Sequence, residues 1–308
     1  MKKRTTKLLL YLLSALLLII GLLIFTYPLI SEHISNSNSK IAVENYENYK
    51  DAHTTKKTEN QQNNNTKAPD KTLTKLYEQM KKYNERIYND NQKGLTDAWK
   101  FEQIGVNLVE YGLNDCPVGV LRVPKMEIEM PLYLGASYNN MAKGAAQLGE
   151  TSMPIGGNNT NCVIAGHRGW NGAKYFLYIE NMTKGDRVYI DNLWETLEYK
   201  VTDIKVISPD NIDAVKIQKG KDMVTLFTCH PYWDNTYRYA VFCTRVKDND
   251  NNTNKNQSVN NISNENNTTN KADVSVRRIK MEQVSYYLIP LALVFLTVVL
   301  LVFTRKRK

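Results

Sequence analysis

Two apolar runs, at residues 8–30 and 284–304, limit the architecture of this chain before any other residue is read. Each is almost wholly aliphatic or aromatic, and a helix rising 1.5 Å per residue would carry either one across a hydrocarbon layer of about 30 Å. The folded part must then lie between two candidate anchors.

The formal charge of +9 could signal a nucleic-acid partner, so its position matters more than its size. Lys2, Lys3, Arg4 and Lys7 precede the first run, and Arg305, Lys306, Arg307 and Lys308 follow the second. Taking those eight from the 40 Lys and Arg leaves 32 against 31 Asp and Glu, so the excess is topogenic and no nucleic acid is implied. Basic flanks stay on the cytoplasmic side. Segments 1–7 and 305–308 are therefore expected inside, with residues 31–283 outside. A cleaved signal peptide fits less well: its apolar region is shorter, and Tyr27-Pro28-Leu29-Ile30 offers no small-residue cleavage site.

Composition marks the internal boundaries. Residues 54–67 and 248–272 are polar, Asn-rich and almost free of large apolar groups, so they cannot bury enough surface to offset the entropy of ordering. The segments 31–70 and 248–283 are accordingly expected to be flexible linkers. Leu73, Leu76, Tyr77, Met80, Tyr83 and Ile87 recur at helical spacing and predict an amphipathic helix ending near Asn89-Asp90-Asn91. Beyond it, short runs rich in β-branched residues predict strands at 118–123, 125–130, 161–165, 187–190, 198–206, 223–228 and 239–246, with Pro124 and Pro131 as punctuation. Many short strands with few helical windows argue for an all-β closed barrel.

Chemistry concentrates in Thr225-Leu226-Phe227-Thr228-Cys229-His230-Pro231-Tyr232, with Arg238 following and His167 preceding it. A soft nucleophile, a titratable imidazole and a permanent cation are what covalent acyl transfer requires. Cys229 differs from Cys162 and Cys243, which sit in apolar runs and read as small core residues. Pro231 ends its strand at once and leaves the thiol at an edge. His230 is adjacent, but successive strand residues point to opposite faces, so His167, in a Gly-flanked loop, is the better base. Arg168 and Arg245 are alternative cations. Four cysteines allow 3 pairings, Cys116–Cys162 among them, yet a nucleophile must stay free and no essential bridge is expected.

Read in order, Val118-Gly119-Val120-Leu121-Arg122-Val123-Pro124-Lys125, Pro154-Ile155-Gly156-Gly157, Ala165-Gly166-His167-Arg168-Gly169, Lys184-Gly185-Asp186, the cysteine tract and Asn235-Thr236-Tyr237-Arg238 resemble the conserved blocks of sortases. They are most similar to the class C, pilin-polymerising branch, over roughly residues 71–247. The resemblance implies a sortase-type closed eight-stranded β-barrel at 105–247, preceded by a helix and lid at 71–104 and flanked by the anchors. It also implies a plasma membrane location in a Gram-positive-type bacterium, with Cys229, His167 and Arg238 as the catalytic set. In class C an Asp and an aromatic residue separated by Pro cover the active site. Thr96-Asp97-Ala98-Trp99 stands where that lid should be, so Trp99 is expected over the cysteine region and Asp97 on Arg238. Ala98 in place of Pro, His230 where Thr is usual and Tyr237 where His is frequent depart from the pattern.

The activity so implied is cleavage of LPXTG-like sorting signals through a thioester, with transfer to an amine: a pilin lysine, or a peptidoglycan precursor if the enzyme anchors single proteins. A plain cysteine protease, passing the acyl group to water, and a non-catalytic membrane-tethered binding module are the readings from other classes. No metal cluster, phosphate loop or nucleotide motif is visible, and no cofactor is expected.

Overall fold

The structure, a computed structural model, describes residues 2–54, 70–98, 108–113, 116–170, 173–232 and 234–246, and towards the C-terminus 288, 291–292 and 295–296. They divide between two units. One takes residues 1–35 with 171–173 and 264–308, and the other takes 36–170 and 174–263.

In the first unit, helix α1 (Lys2–Thr54) begins. Leu8, Leu9, Leu12, Leu22, Leu23 and Ile30 are exposed along it, as an anchor helix requires. Among the described residues it is the one helix long and apolar enough to cross a membrane. Most of the second candidate anchor, 284–304, lies outside the described residues.

The rest of α1 belongs to the second unit and corrects the expectation of a flexible linker starting at residue 31. Helix continues to Thr54 because one narrow face finds partners. Tyr46 is fully buried and donates its hydroxyl to the Asp191 carbonyl at 3.0 Å. Tyr49 donates to the Tyr111 carbonyl at 2.6 Å, and Lys50 reaches the Asp191 carboxylate at 2.9 Å. A face of three or four residues at helical spacing is too thin to stand out in a polar window, and tertiary packing supplies the stability that propensity does not. Residues 55–69 lie outside the described residues.

Helix α2 (Lys71–Asn89) is capped by Asp70, whose Oδ1 accepts from the Thr72 N–H at 2.7 Å. Its predicted stripe is the buried one: Leu73, Leu76, Met80, Tyr83 and Ile87 share a core with Val118, Val120, Leu134 and Met153.

Eight strands form the expected closed barrel: β1 (Gly119–Val123), β2 (Ile128–Leu134), β3 (Ala145–Gln147), β4 (Thr160–Ala165), β5 (Arg187–Asn192), β6 (Thr196–Ile207), β7 (Asp222–His230) and β8 (Tyr237–Arg245). They run in the order β1-β2-β3-β4-β7-β8-β6-β5. The strand expected at 125–130 is displaced. Pro124–Met126 make a 3-10 turn that ends with Glu127 at φ 54°, so β2 starts at Ile128 and carries Pro131 within it, before pairing with β3 begins at Leu132. Strand β3 escaped the sequence reading because three residues hold no period. Between β2 and β3 lies the short helix α3 (Tyr138–Lys143), which ends at Gly144. A Cβ on Gly144 would come within 2.4 Å of the Pro131 carbonyl oxygen, so only glycine admits this close return.

Two pairings position the chemistry. Strands β4 and β7 are parallel, with Ala165 opposite Phe227, and β7 and β8 are antiparallel, with Cys229 opposite Arg238. The ends of β4 and β7 and the start of β8 therefore meet at one rim of the barrel.

Candidate active site

The register fixes which side chains converge. Cys229 and Arg238 are direct cross-strand partners, so their side chains leave the same face of the sheet. Two residues beyond the Ala165–Phe227 pair, His167 comes level with Cys229. Backbone and side-chain bonds hold that extension: the Gly166 N–H donates to the Phe227 carbonyl at 3.1 Å, and the Thr228 hydroxyl donates to the Gly166 carbonyl at 2.6 Å. A Cβ on Gly166 would lie 3.0 Å from the Phe176 ring, so any side chain before His167 would press that ring aside by a few tenths of an ångström. Thr228, which shows no signal of its own in the sequence, ties the His167 loop to β7.

His167 is buried, with its ring stacked on Trp170 at 4.7 Å and 16° and set edge-on to Tyr175 at 6.1 Å. Burial lowers its pKa below the ordinary imidazole value and favours the neutral ring. Trp170 carries no periodic or motif signal in the sequence.

Cys229 is 6 % exposed. Burial pushes its thiol up to about 11; Arg238 and Arg168 pull it down, while Asp97 pushes it further up. Arg238 does not face the sulfur as an uncompensated charge. Its Nε donates to Asp97 Oδ1 at 2.8 Å and its Nη2 to Asp97 Oδ2 at 2.9 Å, a two-pronged pair with side chains only 9 % and 11 % exposed. Nη1 donates to the carbonyls of Asn235 and Tyr237 at 2.8 and 3.0 Å, which fixes the guanidinium plane. Ala98, next in the Asp-Ala-Trp tripeptide, is fully buried among Leu95, Ala165, Phe227 and Ala240. The segment carrying Asp97 thus rests on the same strands that carry Cys229 and Arg238. Trp99, expected over the cysteine, lies outside the described residues.

His230 turns away from His167, as strand alternation requires. Its Nδ1 lies 3.0 Å from Glu180 Oε1 and 2.9 Å from Arg168 Nη1. Arg168 Nη2 pairs with Glu180 Oε1 at 2.7 Å. Neither Arg168 nor Glu180 was placed in a network by the sequence, since the partners are brought together only by the fold. Arg245 belongs elsewhere, against Glu195 and Asp222. All four cysteines are free thiols, Cys162 and Cys243 buried and Cys116 partly so. Among the described residues no group of His, Cys, Asp and Glu is disposed to hold a metal ion.

Similarity to known proteins agrees with this arrangement. Residues 121–246 match the sortase domain family model. The chain is 30 % identical to sortase A of Bacillus anthracis over 156 residues, covering 50 % of this chain and 72 % of that protein. It is 24 % identical to sortase D of Bacillus subtilis over 131 residues, covering 42 % and 63 %. Among solved structures, Streptococcus agalactiae sortase C1 aligns over 65 % of this chain and 97 % of its own at 29 % identity and a TM-score of 0.54. A pilus-related sortase C of Group B Streptococcus aligns over 59 % and 92 % at 34 % identity and a TM-score of 0.53. With a cysteine, a histidine and an arginine brought together at one rim of a closed eight-stranded barrel, the chain belongs to the sortase family of cysteine transpeptidases, in its class C branch.

Proposed function

We propose that Cys229, His167 and Arg238 are the catalytic set, and that the protein joins LPXTG-type pilin subunits by transferring each to a lysine amine of the next. The observation that carries this reading is the two-pronged Asp97–Arg238 pair beside the thiol. It accounts for a resting enzyme whose thiol is neutral and whose cation is engaged. Resemblance to solved class C enzymes, one of them named pilus-related, supports the pilin as substrate.

In the proposed cycle the Asp97 segment withdraws and frees Arg238. His167 takes the proton of the Cys229 thiol and becomes the imidazolium; the thiolate so formed attacks the scissile carbonyl, and Arg238 donates to the oxyanion that forms. His167, as imidazolium, gives its proton to the departing amine while the C–N bond breaks, leaving a thioester on Cys229. Neutral His167 then takes a proton from the incoming lysine amine, which attacks the thioester carbonyl. A new amide forms and the thiolate leaves. We further propose that residues 8–30 and 284–304 both span the plasma membrane, with the two termini cytoplasmic and the barrel outside.

The test uses the full chain in detergent, the Trp99→Ala variant to open the lid, an LPXTG-type peptide and an excess of amine. Mass spectrometry should find an acyl adduct on Cys229 and an amide product, both absent in Cys229→Ala. No adduct on the intact cysteine would overturn the catalytic reading, and acyl transfer to water alone would make the protein a protease. Supplying a pilin lysine peptide against a peptidoglycan stem amine separates polymerisation from wall anchoring.

A further inference from the structure

Behind the nucleophile, on the face of β7 opposite its thiol, lies a second charged cluster that the proposed cycle does not use. Arg168 follows His167 directly. Its Nη2 pairs with Glu180 Oε1 at 2.7 Å, and the two side chains are only 2 % and 3 % exposed. Its Nη1 lies 2.9 Å from His230 Nδ1 and donates to the backbone carbonyl of Cys229 at 3.4 Å. Its guanidinium carbon sits 5.9 Å from the Tyr239 ring centroid, and that ring also borders His230 at 5.5 Å. Four elements meet here: the loop after β4, the 3-10 turn Ile179–Asn181, the end of β7 and, through Tyr239, β8.

Two charged pairs therefore flank Cys229, and they differ in kind. Asp97–Arg238 joins the barrel to a segment that must move if substrate is to enter. Arg168–Glu180 is sealed among residues of the barrel itself, where breaking one partner would strand a buried charge. A sealed pair touching the backbone of the nucleophile and following the base in sequence is placed to hold the two at a fixed separation.

Resting on the reading of Cys229 and His167 as nucleophile and base, we propose that Arg168, clamped by Glu180 and His230, is a positioning residue that locks the Cys229 backbone to the His167 loop. His230 has a defined part in this. Its Nδ1 faces a donor, Arg168 Nη1, and an acceptor, Glu180 Oε1, and can satisfy only one at a time. An asparagine side chain offers one acceptor and two donors on adjacent atoms and serves both neighbours at once. A leucine serves neither.

Three variants of the full chain in detergent test this, read by single-turnover thioester formation and by the split between kcat and KM for an LPXTG-type peptide. Arg168→Lys keeps the charge opposite Glu180 but has no fork to reach the Cys229 carbonyl as well. It should lower kcat about tenfold with KM unchanged, since misplacement of a nucleophile acts on the chemical step. His230→Leu should also lower kcat by about tenfold, and His230→Asn should restore it to within about threefold of the wild type. Wild-type kcat in Arg168→Lys, or a change confined to KM, overturns the proposal. If Arg168→Lys does not fold, the His230 pair decides: Leu and Asn variants that are alike, both active or both impaired, overturn it as well. Cys229→Ala is the control. Activity surviving there removes the catalytic reading itself, whereas an inactive Cys229→Ala beside a wild-type-like Arg168→Lys removes only the positioning role.

Discussion

Replacing Asp97 with asparagine keeps the size and shape of the side chain on Arg238 while removing its charge, so it separates electrostatic gating from steric gating. Burial and Asp97 hold the Cys229 thiol at about 11, which leaves about one molecule in ten thousand as thiolate at pH 7. Direct cross-strand neighbours have Cβ atoms about 5 Å apart, so the guanidinium of Arg238 acts on the sulfur from roughly 6–8 Å. At an effective dielectric of about 20, a unit charge at that range contributes about 2–3 kcal/mol to the thiolate, and Asp97 cancels much of it. Without the carboxylate, and allowing for water reaching the loosened pair, thiolate reactivity at pH 7 should rise about tenfold to a hundredfold. The direction follows from the sign of the neighbour: an anion raises the thiol pKa, so its removal moves the alkylation midpoint to lower pH. The assay is the rate of iodoacetamide addition to Cys229, resolved from Cys116 by peptide mass spectrometry, between pH 6 and pH 10. A midpoint that stays in place while the rate rises at every pH would leave only steric opening, and a rate equal to wild type would refute the reasoning altogether.

Three other outcomes follow from the same geometry. Arg238→Ala should reduce kcat for thioester formation by roughly a hundredfold, the scale of about 3 kcal/mol for one lost oxyanion donor; a loss under threefold in a stopped-flow acylation assay would remove Arg238 from the step. Because burial lowers the His167 pKa below its unfolded value, the neutral ring contributes stability above about pH 6.5 that is lost as the pH falls through the folded pKa, so thermal stability should decline more steeply below pH 6.5 in the wild type than in His167→Gln. Tyr46→Ala empties a fully buried site that also anchors α1 to the Asp191 carbonyl, and should cost about 3–5 kcal/mol, read as faster proteolysis within residues 36–54 and a lower melting temperature.

The candidate site residues were legible in the sequence because each stands out by short-range features. Pro231 ends β7 beside Cys229, glycines flank His167 in its loop, and strand alternation turns His230 away from the thiol. The stripe of α2 was equally plain, since six apolar residues at helical spacing mark one face whatever they pack against. The helical stretch 31–54 was not legible. Its polar residues read as a tether, and helix persists there because Tyr46, Tyr49 and Lys50 meet Asp191, Asn192 and Tyr111, partners some 60 to 145 positions away. Strand β2 was misplaced because Pro124 favours a turn that shifts the start by three residues.

Sequence alone determined that this chain carries a candidate nucleophile, Cys229, with a histidine and an arginine on a β-rich domain with apolar runs at either end, because residue type and local period follow from covalent chemistry. Tertiary structure decided what those groups are doing at rest. Only the β4–β7–β8 register sets His167 and Arg238 level with Cys229, only the returning segment puts Asp97 on Arg238, and only the fold seals Arg168, Glu180 and His230 behind Cys229. The physical reason is that pKa and charge pairing depend on distance and burial, and both are properties of residues far apart in sequence that the closed barrel brings into contact.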